Sequence, residues 1–194
     1  MTWWAAALLS VLHTLVGVVS VMAFAVLETF NLDDWGNMSL FGGVFFMPLL
    51  YLAGAKLFHR SPALVCDLFT PCIVGTVMCA RVNCIISGCC KGLLLPGNSG
   101  LRWPTRELEI LFYLILLVIL IRRISRGQNH GEIYPIYMIA YGAFRFVIEW
   151  FREADSPFGM FHLAHIWALI CLGLGLSIYY AQKNRMKSPK YTRR

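Results

Sequence analysis

Six long apolar runs alternate with short polar joins along the chain. The runs extend from Trp4 to Leu27, Leu40 to Leu57, Ala63 to Ile86, Leu108 to Ile121, Ile133 to Val147 and Phe161 to Tyr180. Each approaches the ~20 residues that carry an α-helix across a bilayer, so the pattern predicts six transmembrane helices. The fourth and fifth runs are short in strictly apolar residues and reach that length only by taking in Glu107, Glu109 and Glu149. The first is expected to persist as a helix, because its apolar stretch is too long for a signal peptide and no Lys or Arg precedes it.

Composition turns this pattern into a class. Of 194 residues, 58% are hydrophobic and 14% charged, which excludes an ordinary soluble domain and predicts an all-α, polytopic membrane protein. The net charge of +7 is unevenly placed. Lys56, Arg60, Arg122, Arg123, Arg126 and the tail from Lys183 fall on alternate joins, which the positive-inside rule makes cytoplasmic. Both termini are then cytoplasmic, and the Glu28 to Asp34 link, the Gly88 to Trp103 connection and the Arg152 to Gly159 turn lie outside. We expect one transmembrane domain over residues 1–181 and a basic cytoplasmic tail over 182–194. The basic residues suit topology and contact with anionic lipid; none forms an aromatic-interleaved patch of the kind that reads nucleic acid, which is excluded as a partner. Trp3, Trp4, Trp35, Trp103 and Trp150 fall near predicted helix ends, as interfacial anchors do. Gly42, Gly43, Gly75, Gly142 and Gly173 are expected at close helix contacts, and Pro48, Pro71 and Pro135 at kinks.

The charges inside apolar runs carry the candidate chemistry. A charge at mid-helix costs roughly 2.5–3.5 kcal/mol on insertion scales unless it is paired or sits in a wet cavity. Tyr141, Arg145, Glu149 and Arg152 recur in steps of four, four and three, which brings them within about 80° of one another on a helix. Arg81 ends the third run near the same outer face. Arginine suits a phosphodiester because its planar fork donates two parallel hydrogen bonds and keeps its charge. Arg81, Arg145 and Arg152 could thus share one lipid head group; alternatively, Arg81 pairs with Glu149 or Glu109 merely to make its burial tolerable.

Seven cysteines divide into two groups. Cys66, Cys72, Cys79 and Cys171 lie in apolar runs and read as small packing residues. Cys84, Cys89 and Cys90 cluster beside Arg81 and Lys91. A disulfide, a metal site completed by His162 or His165, and a tight Gly-Cys-Cys-x-Gly turn all fit. The spacing lacks the separated pairs usual for zinc and favours the turn, so no metal is assigned.

Arg81 through Gly92, Trp103-Pro-Thr-Arg-Glu-Leu-Glu109 and Tyr141-Gly-Ala-Phe-Arg145-Phe-Val-Ile-Glu149-Trp-Phe-Arg152-Glu-Ala-Asp155 together resemble the prolipoprotein diacylglyceryl transferase family. Met38 to Gly43, Asp67 with Pro71, and Phe161 to His165 extend the resemblance in the same order. It implies a bacterial inner-membrane enzyme that moves a diacylglyceryl group from phosphatidylglycerol to the cysteine thiol of a lipoprotein precursor and releases glycerol phosphate, with no cofactor. It also implies catalytic roles for Arg81, Tyr141, Arg145, Glu149 and His165. Substrate contacts would come from Arg81, Gly92, Glu109, Arg145, Arg152, Gly42 and Gly43. Under this reading Arg81 and Arg145 hold the lipid phosphate, Tyr141 donates a hydrogen bond, and Glu149 orients an arginine or acts as base.

The chain departs from the family pattern at Phe41, where a histidine is expected, at Cys84, where an asparagine is expected, and at His165, which replaces a glutamine. His165, His162 and Glu149 are the candidate replacements for the missing base. The outer insertion between Gly92 and Trp103 is short, and one N-terminal helix is expected to be missing. Two other readings follow: a related phospholipid-dependent transferase with a different acceptor, and a non-catalytic phospholipid-binding membrane protein.

Overall fold

The computed structural model describes residues 3–35, 39–97, 100–127, 131–153 and 162–187. Met38, the expected Arg152 to Gly159 turn beyond Glu153, Phe161 and the residues beyond Lys187 lie outside the described residues. Six α-helices account for most of the rest: α1 (Trp3–Thr29), α2 (Phe41–Leu57), α3 (Pro62–Ser87), α4 (Thr105–Ser125), α5 (Ile133–Glu149) and α6 (Leu163–Lys187). Each matches one apolar run, and α4 begins early enough to include Glu107 and Glu109, as the short fourth run required. Two isolated bridges pair Gly92 with Arg152 and Leu94 with Arg102.

Three segments are long and apolar enough to cross a bilayer: Ser10–Glu28, Pro62–Ser87 and Leu163–Asn184. α2 is apolar but shorter, at 17 residues. Leu15, Val19, Leu169 and Leu174 stand exposed on α1 and α6, leaving an apolar exterior that water would penalise and lipid tails would not. The interior is aromatic, with Phe24, Phe41, Phe69, Tyr51, Tyr113, Tyr137 and Tyr141 in one buried cluster.

Polar contacts fix the order of helix ends. At one end, the Asp67 carboxylate of α3 accepts from the backbone N–H groups of Gly131, Ile133 and Tyr134 at 2.7, 3.1 and 3.2 Å. A buried anion thereby satisfies donors that the first turn of α5 leaves without helical partners, and it complements the helix dipole. A Cβ on Gly131 would lie 3.0 Å from that of Ala63 and 3.2 Å from the Gln182 side chain, so α3 begins, α5 begins and α6 ends together. At the other end, Leu93 N–H donates to Phe151 O (2.9 Å), Glu153 N–H to Lys91 O (3.1 Å), and Trp103 N–H to Leu93 O (2.9 Å). This small hairpin ties the end of α3 to the start of α4 and the end of α5.

Proline and glycine roles differ in part from the sequence expectation. Pro48 lacks the N–H that would bond to the Val44 carbonyl, and the Tyr134 hydroxyl of α5 donates to that carbonyl at 2.6 Å. Pro135 does not kink α5; it is the third helical residue, in the turn whose N–H groups have no helical acceptor. Gly42 and Gly142 are close contacts: a Cβ on the first would strike the Ser20 carbonyl, and one on the second would sit 2.8 Å from Ala168 O. Gly43, Gly75 and Gly173 face open space, and Gly175 makes the α5 contact instead, 2.9 Å from Met138 Cβ if a methyl is added. The i and i+2 positions of α6 point to different faces, and Gly173 falls on the exposed one. Cys66 and Cys171 are buried as expected, whereas Cys72 and Cys79 are exposed on α3.

Candidate anion site at the Arg81 end of the bundle

Helix α3 carries Arg81 six residues before its end, α4 carries Glu109 in its second turn, and α5 carries Glu149 at its end with Arg145 four residues before it. Packing brings these side chains into one buried network. Arg81 Nε pairs with Glu109 Oε2. The other oxygen, Glu109 Oε1, faces Arg145 Nη1 at 3.5 Å, and Arg145 Nη2 meets Glu149 Oε2 at 2.8 Å. Arg152 reaches the same Glu149 oxygen at 3.3 Å, and His162 Nδ1 lies 3.5 Å from Glu149 Oε1. α5 stops at Glu149, so Arg152 stands just beyond the helix, where its N–H donates to Glu149 O. Its guanidinium still closes the charge chain.

Arg81, Glu109, Arg145 and Glu149 are 5%, 1%, 7% and 3% exposed, which places two carboxylates and two guanidiniums almost entirely out of solvent. Removing one partner from such a set typically costs about 3–5 kcal/mol, because the other is left charged and unpaired. With Arg152 included, three guanidiniums face Glu109, Glu149 and the half-buried Glu28, whose carboxyl feels Arg145.

Arg81 also borders a cavity of about 630 Å³ between α1, α2 and α3. Its body is apolar, walled by Val18, Val21, Met47, Ile73 and Val77, and one end carries Arg81, Cys84, Cys89 and Cys90. Gly43 lies on this wall, whereas Gly42 and Gly92 do not. Gly92 serves the hairpin, since a Cβ there would strike the Trp103 carbonyl. His13, which sequence reasoning did not single out, borders the cavity farther in. Its Nδ1 is 2.6 Å from the Tyr51 hydroxyl and its Nε2 is 3.4 Å from Thr76 Oγ1. A lone ionisable residue within an apolar run was the available signal.

Three tyrosines line the interior near the network. The buried hydroxyls of Tyr113, Tyr137 and Tyr141 have no hydrogen-bond partner among the described residues, and each such buried group costs on the order of 1–3 kcal/mol until something accepts from it. Tyr141 stacks edge-on against Phe41, with ring centres 5.6 Å apart. His165 is buried against Phe146 and Trp150, and its Nδ1 accepts from the His162 N–H at 3.1 Å. Phe41, at the position where the resemblance led us to expect a histidine, belongs to an aromatic cluster with Phe24 and Phe45. Ser87 donates its hydroxyl to Cys89 Sγ at 3.4 Å, which holds that exposed thiol below the usual range.

The structure therefore brings together Arg81, Glu109, Arg145, Glu149 and Arg152, with His162 and His165 at the edge. It leaves Gly42 and Gly92 in packing positions. The described bundle thus places a buried arginine–glutamate network beside an apolar cavity. The chain belongs to the prolipoprotein diacylglyceryl transferase family, whose model matches residues 3–181. A phosphatidylglycerol–prolipoprotein diacylglyceryl transferase of Paracidovorax citrulli (strain AAC00-1) is 29% identical over 141 residues, covering 66% of this chain and 52% of that protein. One from Pseudoalteromonas translucida (strain TAC 125) is 28% identical over 171 residues, 80% of this chain and 64% of that protein. The chain thus matches between about half and two thirds of the length of these relatives.

Proposed function

We propose that the protein is a bacterial inner-membrane transferase that takes a diacylglyceryl group from phosphatidylglycerol and places it on a cysteine thiol of a lipoprotein precursor peptide. The observation that carries this reading is the convergence of Arg81 and Arg145, from different helices, on the two oxygens of one carboxylate beside an apolar cavity. Acyl chains suit the Val18, Met47 and Val77 wall, and the phosphodiester suits the guanidinium end. In the reaction, the acceptor sulfur bonds to the glyceryl carbon, the carbon–oxygen bond to phosphate breaks, and the electron pair leaves on glycerol phosphate. Fixed guanidiniums in a water-poor site stabilise that developing charge.

Tyr141, with a buried hydroxyl that lacks an acceptor, donates to the bound phosphate. Glu149, held by Arg145 and Arg152, orients both. Glu149, His162 and His165 are the candidates to take up the thiol proton, and none of them borders the cavity. All six helices span the bilayer in this reading, with both termini cytoplasmic. In support, Lys56, Arg122 and Arg123 lie in the last turns of α2 and α4, at the end opposite Arg81.

Purified protein mixed with phosphatidylglycerol vesicles and a peptide bearing the lipoprotein-precursor cysteine should yield a thioether-linked diacylglyceryl peptide and glycerol phosphate, both read by mass spectrometry. Absence of both products, with a curated relative active in parallel, would overturn the proposal. Phe41 favours a second reading, in which the same lipid portion goes to another acceptor. In that case glycerol phosphate is released in membrane extracts without a lipidated peptide.

A further inference from the structure

The outer turn after α3 holds an arrangement that lipid binding leaves unused. Cys84 lies in the last turn of α3. Gly88, left-handed at φ 70°, caps the helix with its N–H on Ile85 O and reverses the chain. Cys89 and Cys90 then return to Cys84, and the three sulfurs lie within 4.8 Å of one another. Cys90 itself adopts φ 54°, a left-handed conformation that favours glycine. Cys90 nevertheless borders the cavity.

Two arginines surround the group. Arg81 Nη1 is 3.9 Å from Cys84 Sγ and 3.8 Å from Cys90 Sγ. Arg106 Nη1 donates to the Cys84 and Cys89 carbonyls at 3.3 and 3.4 Å, which fixes the turn from the α4 side. Tetrahedral zinc with sulfur bonds of about 2.3 Å places its sulfurs about 3.8 Å apart, so closing this cluster needs a contraction of about 1 Å at most. Three thiolates around a divalent cation leave one negative charge, and Arg81 and Arg106 stand where they offset it. An odd number of thiols also argues against a disulfide as the resting state, since pairing two strands the third.

We propose that Cys84, Cys89 and Cys90 form a three-sulfur site for zinc or a cation of that thiophilic class, with its fourth position open to the cavity to take the acceptor thiol. The role of the fourth position rests on the transferase reading; the three-sulfur site does not. Coordination deprotonates an incoming thiol, and the proton passes to water at the exposed Cys89 side. The sulfur then bonds to the glyceryl carbon while the carbon–oxygen bond breaks toward glycerol phosphate, with no oxidant or reductant consumed. This site supplies what Phe41 does not.

The test uses the full chain, reduced and purified in detergent without chelator. Metal analysis should find about one zinc per chain, and titration of the metal-free protein with cadmium should raise a thiolate charge-transfer absorption that saturates near one equivalent. Loaded protein should also show Cys84, Cys89 and Cys90 protected from maleimide, while the reduced metal-free protein labels them, a readout that needs no variant. C84S, C89S and C90S should each lose zinc, and C79S should keep it. The inference is overturned if the reduced chain takes up neither metal, or if all three thiols remain labelled under saturating zinc. Lipid transfer assayed on the same samples separates the two readings. Transfer by metal-free protein at the full rate removes the role of the fourth position and leaves the transferase intact, whereas metal bound with no transfer leaves the site standing without the reaction.

Discussion

Arg81 and Arg145 contact opposite oxygens of the same Glu109 carboxylate, so two helices present their guanidiniums to one point. A lysine at either position would keep the charge and lose the planar fork. R81K and R145K should therefore lower diacylglyceryl transfer at least 100-fold. R102K should leave it within about twofold, since Arg102 pairs with the exposed Glu153 at the rim. Initial rates with phosphatidylglycerol and peptide distinguish the three.

Tyr141 offers a cleaner separation of function from stability. Its hydroxyl is buried without an acceptor among the described residues, so Y141F removes a desolvated group and should leave the melting temperature unchanged or slightly raised. A hydrogen bond to a charged group contributes about 1.5–3 kcal/mol, and its loss in the reaction should slow transfer by roughly 10- to 150-fold. Equal losses of stability and rate would assign the hydroxyl a structural role instead.

Asp67 should matter for folding alone. It accepts from three backbone N–H groups at the start of α5, at the end of the bundle away from Arg81. D67A should destabilise the protein by about 3 kcal/mol or more, at roughly 1 kcal/mol for each buried donor left unpaired. D67N, which keeps one acceptor oxygen, should lose less. Thermal unfolding in detergent gives the order.

Tyr134 and Pro48 form a coupled pair through the Val44 carbonyl. Y134F should cost about 1–3 kcal/mol by stranding that carbonyl. P48A restores a backbone N–H able to reach it, so the double variant should recover much of the loss. A double-mutant cycle should show non-additivity beyond about 0.5 kcal/mol; additive effects would contradict the coupling.

The six helices were legible because apolar length alone sets them, and the Tyr141, Arg145 and Glu149 stripe because a helix period of 3.6 puts those residues on one side. Partner choice was not legible. Glu109 could be named as a candidate, but that it lies between two arginines depends on how α3, α4 and α5 pack. Gly173 and Gly175 differ by two positions in sequence and face opposite environments, which only the rotation of α6 decides. Pro135 was expected at a kink, although the fifth apolar run itself begins at Ile133 and already placed it in the first turn. The sulfur cluster was open to three readings, and the left-handed Gly88 and Cys90 that gather it are backbone facts.

The central claim is that the network of Arg81 and Arg145, which meets the cavity at Arg81, holds one anionic phospholipid. Native mass spectrometry of detergent-solubilised protein exposed to equimolar phosphatidylglycerol and phosphatidylcholine tests it directly. We expect selective retention of one phosphatidylglycerol, reduced at least tenfold in both R81A and R145A. Equal retention of the two lipids, or undiminished phosphatidylglycerol in both variants, would contradict the account.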